Sequence, residues 1–368
     1  NPCMGRASEP HDSAAGTDRS PETGKRATRR MLARFIPLKR RPRAAGAFRQ
    51  PLRMEKKLPE GGCVSETLWA LLAPEGFERE TERELLHLGL EPLLRKGNFF
   101  LFSGLPRDIA WSAVIWKDVH RLTAPSINIA ARSLRPLAKK WEHCPVSHHR
   151  RASLIAEQLR PYKSGPISFP RALSPEEGVG AFTMVEEQEI LWCRNFDRPD
   201  PLGRVLFLED KTTPPSRAYL KLWEAFCLIG KWPNAGEFTL DLGSCPGGWT
   251  WVLASLGARV LSVDRSPLDP AIAAMPGVTF RKGDAFSLKP DEIEELASWL
   301  CCDVICAPEK LLALLKAWMG SRRAERFLCT IKFQGDADPE IVSEFQKLGR
   351  VIHLWHNKHE LTFFSEAK

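Results

Sequence analysis

In the C-terminal half of the chain, short apolar runs of strand length alternate with stretches of helical period. FTLDLG (238–243) is a strand that ends in a glycine-rich turn, and ARVLSVD (258–264) and VTFRKGD (278–284) are strands that end in aspartate. CCDVICA (301–307) contains a strand end, and RFLCTIKF (326–333) is a strand. WTWVLASLG (249–257), DEIEELASWL (291–300), KLLALLKAWM (310–319) and PEIVSEFQKLG (339–349) read as helices, the first closed by Gly257. VIHLWHNKHELTFFS (351–365) closes the series as a hairpin. Strands separated by helices predict an α/β domain over 206–368, Rossmann-like, with a doubly wound and mostly parallel sheet. Ligands of such sheets sit beyond the carboxyl ends of the strands.

Residues 58–205 have a different rhythm. CVSETLWALLA (63–73) reads as a strand. PEGFERETERELLHLG (74–89) reads as a helix with Phe77, Leu85, Leu86 and Leu88 on one side. NFFLFS (98–103) is a second strand and LPRDIAWSAVIW (105–116) a second helix. That order predicts a smaller α+β module of ferredoxin-like kind. AFTMVEE, EILWCRN and GRVLFLE, within 181–209, are strand-like runs that complete the module or bridge to the next domain.

Length and composition bound these readings. A chain of 368 residues with 43% apolar and 27% charged residues suits two globular domains and a tail. No apolar run reaches the ~18 residues of a membrane span, and no secretory signal is evident. The expectation is a soluble protein of a bacterial-type cytoplasm, with mitochondrial import as the alternative and no membrane partner. The net charge of +8 is unevenly placed: residues 1–57 hold 15 Lys/Arg against 5 Asp/Glu, which leaves the other 311 residues at −2. The 1–57 segment therefore reads as a basic, disordered arm. It is an RNA-contacting arm, a transit peptide, or sequence ahead of a start at Met31 or Met54, the last being preferred. Within the body, 130–163 is basic: Arg132, Arg135, Lys139, Lys140, Arg150, Arg151, Arg160 and Lys163 face only Glu142 and Glu157. Trp141 and Tyr162 are interleaved as candidate base-stacking residues, against the alternative of a solvated helix face. Of ten cysteines, Cys301, Cys302 and Cys306 come nearest to a ligand cluster, but reduced buried thiols are the expected state and no metal site is expected.

The strongest chemical signal is Asp241-Leu-Gly243-Ser244-Cys-Pro246-Gly247-Gly248-Trp249. A strand rises to Asp241, and the chain then turns tightly into a helix whose N-terminus offers free N–H groups to an anion. The GxxxGG spacing differs from the GxGxxG of dinucleotide-binding proteins, which disfavours an oxidoreductase. Asp264 ends the next strand, where a carboxylate accepts ribose hydroxyls, and Asp284 ends the following one, placed to accept an adenine amino group.

DLGSCPGGWT, SRAYLKLWE (216–224), WLCCDV (299–304), FLCTIKF (327–333) and HNKHELTFF (356–364) together resemble the FtsJ-like ribose 2′-O-methyltransferases. The resemblance implies S-adenosylmethionine as cofactor, held by the glycine turn and the two later aspartates, with Asp303 beside it. It also implies a Lys-Asp-Lys-Glu tetrad, here Lys221, Asp303, Lys332 and Glu360. Within the family the likeness is to members that methylate large-subunit rRNA and carry a THUMP RNA-binding domain. No full THUMP is evident in 126–205, so rRNA is the expected substrate and tRNA the alternative. The tetrad is chemically coherent: a ribose hydroxyl must lose its proton as it attacks, and a lysine takes that proton only when neutral. Lys332 is the expected base, with Lys221 and Asp303 orienting the hydroxyl and Glu360 supporting the cluster. Two further readings are a catalytically silent RNA-binding protein and a methyltransferase of proteins or small molecules.

Overall fold

The structure is a computed structural model that describes residues 67–366. The basic arm, and the competing readings of it, lie outside the described residues.

The N-terminal module opens with β1 (Leu68–Leu72), α1 (Glu78–His87), β2 (Leu94–Lys96), β3 (Phe99–Ser103) and β4 (Val114–Thr123). It continues with α2 (Ile127–Leu134), β5 (Lys140–His143), α3 (His149–Ala156), β6 (Val179–Met184) and β7 (Glu189–Cys193). The seven strands form one sheet in the order β2-β3-β1-β4-β7-β6-β5. The ten-residue β4 joins its halves, pairing with β1 through Val114–Trp116 and with β7 through His120–Thr123.

The C-terminal domain runs α4 (Tyr219–Ile229), β8 (Phe238–Leu242), α5 (Gly248–Ser255), β9 (Arg259–Asp264), α6 (Pro270–Ala273) and β10 (Val278–Lys282). It ends with β11 (Ala297–Cys302), α7 (Pro308–Ser321), β12 (Ala324–Lys332), α8 (Pro339–Gln346), β13 (Arg350–Ile352) and β14 (Glu360–Glu366). The sheet order is β10-β9-β8-β11-β12-β14-β13, parallel as far as β12, with β14 and β13 antiparallel. This is the expected doubly wound sheet. Its connections reverse direction between β8 and β11, the place where such sheets bind ligands.

Three sequence readings change. Residues 105–116 form no second helix: 104–113 run as a docked loop and Val114 begins β4. The loop's backbone is satisfied by buried side chains instead of helical bonds. The amides of Ala110 and Trp111 each donate to Glu84 at 2.8 Å, and Thr81 donates to the Trp111 carbonyl at 2.7 Å. Residues 291–300 are not a helix either, since Ala297–Cys302 is the fully buried central strand β11. A short run buried on both faces has no alternation to distinguish it from a buried helix. On α1, Leu85 is buried but Leu86 is 81% exposed, because Thr81, Glu84 and Leu85 form the inward stripe.

The two domains share packing. Ala110 and Trp111 of the docked loop belong to the same apolar cluster as Leu300, Phe327 and Phe345 of the C-terminal domain. Of the runs within 181–209, the first two are β6 and β7, while the third forms only a single bridge from Phe207 to Ile167. Cys301 and Cys302 are fully buried in β11 and Cys306 is partly buried.

Candidate active site

β8 carries Asp241 to the switch point, and the chain then bends through Gly243, whose φ of +77° favours glycine. A Cβ there would lie 2.8 Å from the Val304 Cβ, so the turn lies directly against the chain leaving β11. At Gly248, the first residue of α5, a Cβ would lie 2.7 Å from the Ser216 hydroxyl. Asp241 is fully buried. One of its oxygens accepts from Thr250 at 2.6 Å, and Thr250 also contacts Ser262. Burial pushes the Asp241 carboxyl up to about 7. Among the described residues, the second Asp241 oxygen and the Ser216 and Ser244 hydroxyls are buried without a hydrogen-bond partner. Buried polar atoms are seldom left so, and these three flank the glycine turn.

Asp264 is held from both sides, accepting from the Cys245 amide at 3.0 Å and the Ser266 amide at 2.8 Å. Asp284 accepts from the Phe286 amide at 3.0 Å and pairs with Arg265. The amide, and then Arg265, hold its carboxyl below the usual range. Trp249 turns into the core and donates its indole N–H to the Ala218 carbonyl at 2.9 Å, which ties α5 to the start of α4. Its side chain thus packs the site from behind and does not line it. Pro246 is exposed at the tip of the turn.

Beside this cradle the four tetrad residues meet. The Lys221 amine lies 2.9 and 3.0 Å from the two Asp303 oxygens and 3.1 Å from Glu360. The Lys332 amine lies 2.9 Å from Asp303 Oδ1 and donates to the Asp303 carbonyl at 2.6 Å. Four elements deliver them: α4 carries Lys221, the end of β11 leads into Asp303, and Lys332 of β12 sits directly across from Glu360 of β14. The side chains are 10%, 14%, 18% and 9% exposed for Lys221, Asp303, Lys332 and Glu360. Burial pulls the Lys221 ammonium down, but Asp303 and Glu360 outweigh it and the net direction is up. Burial likewise pushes Asp303 up, while Lys221 and Lys332 outweigh it and hold its carboxylate below the usual range.

Several residues in the site were not singled out from the sequence. Thr330 donates to Asp303 at 2.5 Å. It lies two positions before Lys332 on β12, and the strand's period of two puts both on one face. Glu224, one turn after Lys221, is buried and accepts from the Trp355 amide (2.7 Å), the His356 amide (3.0 Å) and the His356 ring (2.7 Å). It fastens the loop that leads to Glu360. His359 pairs with Glu80 of the N-terminal module at 3.1 Å, and its other ring nitrogen lies 3.3 Å from the Phe333 carbonyl.

Residues 214–338 match the sequence model of the FtsJ-like methyltransferase family. Over that stretch the chain is similar to the FtsJ-like methyltransferases, whose cofactor is S-adenosylmethionine. The glycine approaches and the three unpartnered polar atoms fit such a group at the turn. The particular relatives are proteins named ribosomal RNA large subunit methyltransferase M. That of Halorhodospira halophila is 34% identical over 162 residues, covering 41% of this chain and 47% of the relative. That of Thauera aminoaromatica is 30% identical, covering 42% and 46%. That of Laribacter hongkongensis is 26% identical over 339 residues, covering 78% and 94%. The chain thus spans about half the length of the first two and nearly all of the third.

Proposed function

We propose that this chain is an S-adenosylmethionine-dependent RNA ribose 2′-O-methyltransferase acting on large-subunit rRNA, in a bacterial-type cytoplasm. The observation that carries the reading is the tetrad beside the glycine turn, with Asp303 bonded to both lysines. The bound cofactor supplies a methyl group on a sulfonium, open to in-line attack. With the cofactor bound, Lys332 would take the proton of the attacking ribose hydroxyl on its Nζ. Geometry separates the two lysines. Lys221 touches three carboxylate oxygens and stays a cation, whereas Lys332 touches one and is the more exposed. Lys221 and Asp303 orient the attacking hydroxyl, and Glu360 balances Lys221. Positioning supplies much of the acceleration in such a displacement. Asp264 would hold the cofactor ribose and Asp284, which pairs with Arg265, the adenine. The rRNA substrate follows the names of the relatives, and a tRNA substrate is the second outcome of the same assay.

The test is methyl transfer from labelled S-adenosylmethionine to deproteinised total RNA by wild type and Lys332→Ala, followed by nucleoside analysis and sizing of the labelled RNA. Label in a 2′-O-methyl nucleoside of rRNA, lost in the variant while cofactor affinity holds, is the expected result. Label in base-methylated nucleosides, or no label despite cofactor binding, would refute the reading. The second of these results would leave a silent RNA-binding protein.

A further inference from the structure

The basic stretch of the N-terminal module folds into a concave feature. A cleft of about 410 Å³ opens between the end of α2, the start of β5, the chain after α3 and the start of β6. Arg135, Lys139, Arg160 and Arg194 line it, and all four are exposed. Among the described residues none of the four forms a salt bridge, although Lys140 next to Lys139 pairs with Glu176. Two of the guanidinium groups are fixed in place by carbonyls: Arg135 donates to Gln158 at 3.0 Å and Arg194 to Leu137 at 2.9 Å. A guanidinium held by one N–H still presents the others.

Trp141 forms part of the wall. It is only 4% exposed and packs edge-on against Phe182 and Trp192, so it is no stacking platform for a base. Its indole N–H is nevertheless buried with no hydrogen-bond partner. An indole N–H only donates, and the ordinary expectation is that a buried one is satisfied. Four cations therefore line one cleft whose wall holds an unpartnered donor, and the polar side chains there offer hydrogen bonds and accept none.

We infer that this cleft binds a backbone phosphate of the RNA substrate, with the Trp141 indole and the fixed guanidinium groups as donors; the inference rests on the RNA methyltransferase reading above. It gives the N-terminal module a defined grip that places RNA without reading its sequence.

Two variants test it. In Lys139→Gln/Arg160→Gln, the altered side chains hold no intramolecular hydrogen bond. Trp141→Phe keeps an aromatic ring in the wall and removes the donor, together with part of the buried indole. Binding of an in vitro transcript of large-subunit rRNA is measured against KCl concentration, with methyl transfer at saturating RNA and thermal melting alongside. The double variant should flatten the slope of log Kd against log salt by up to about 0.7, the value for one single-strand phosphate contact. Trp141→Phe should weaken binding about tenfold, the worth of one hydrogen bond to a charged acceptor, with the slope kept. kcat at saturating RNA should hold in both; the melting temperature should hold in the double variant and fall modestly in Trp141→Phe, where the smaller ring leaves a cavity. An unchanged slope in a folded double variant would overturn the site while leaving the enzyme reading intact. So would inorganic phosphate at millimolar concentration binding the wild type while the variants bind RNA normally, since the cleft would then take a free anion. Wild type that neither binds nor methylates the transcript would instead remove the function on which the inference rests.

Discussion

Glu224 offers the sharpest test of how the proposed catalytic cluster is held together. It is almost fully buried and accepts three hydrogen bonds from Trp355 and His356, 131 and 132 residues further along the chain. Glu360 follows four residues after His356, so this carboxylate fixes the loop that delivers a tetrad member, while Lys221 sits one turn away on the same helix. Glu224→Gln keeps the shape and turns one acceptor oxygen into an N–H2 group. Placed toward His356, the remaining oxygen keeps two bonds. The part-buried Trp355 amide then faces a donor and loses its partner, at a cost of at most about 1–3 kcal/mol. A global stability of about 5–15 kcal/mol absorbs that, so the fold should persist while the loop loosens. If the closed loop is required for transfer, kcat should fall by at most about 5- to 150-fold, the Boltzmann equivalent of that cost. Cofactor affinity should hold, because the glycine turn lies on other elements. Single-turnover methyl transfer, calorimetry with S-adenosylhomocysteine and hydrogen exchange over 354–358 measure the three quantities. Faster exchange with an unaltered rate would show that the loop's order does not matter to the chemistry and would refute the reasoning.

Two further outcomes are expected. Gly243→Ala places a methyl 2.8 Å from the Val304 Cβ at a φ of +77°, adding about 1–2 kcal/mol of backbone strain to a clash beside Asp303; S-adenosylhomocysteine affinity should fall at least about tenfold by calorimetry. Glu84 is pushed by burial up to about 7 from an ordinary 4.5, so between those pH values the unfolded chain releases a proton that the folded chain retains, and stability falls as pH rises; Glu84→Gln should escape that loss of about 3 kcal/mol, and its melting temperature should gain on wild type from pH 4.5 to 7.

What the sequence disclosed depended on how local the signal was. The glycine turn and the acids closing β8, β9 and β10 were legible because strand, turn and helix are contiguous there. The tetrad became legible only once the resemblance said which lysine and which glutamate to take, since Lys221 and Glu360 are 139 positions apart. The partners of Glu224 and His359 were not legible, because nothing in a local pattern says that 224 meets 356 or that 80 meets 359. The two mistaken helices failed for separate reasons. The docked loop at 104–113 takes its hydrogen bonds from Glu84 and Thr81, a tertiary solution that hydrophobic period does not encode. β11 is buried on both faces and so shows no alternation.

The seam between the domains gives those long-range contacts their meaning. Phe77 stacks parallel to the His359 ring at 5.8 Å and also touches Trp111 and His353, while Trp111 meets Phe333. Phe333 follows Lys332 directly, and His359 precedes Glu360. Glu80 of α1 thus clamps a histidine whose other nitrogen faces the carbonyl of Phe333, so one cluster backs both the second lysine and the glutamate of the tetrad. Burial pulls the His353 ring within this cluster down to about 4. Its Nε2 lies 3.1 Å from the Lys358 carbonyl, a contact that a neutral Nε2–H tautomer satisfies. The N-terminal module therefore does more than carry a basic cleft. Its first helix and docked loop form the wall against which the ends of β12 and β14 are set, so the surface that would grip RNA and the groups that would deprotonate it are built on one continuous packed unit.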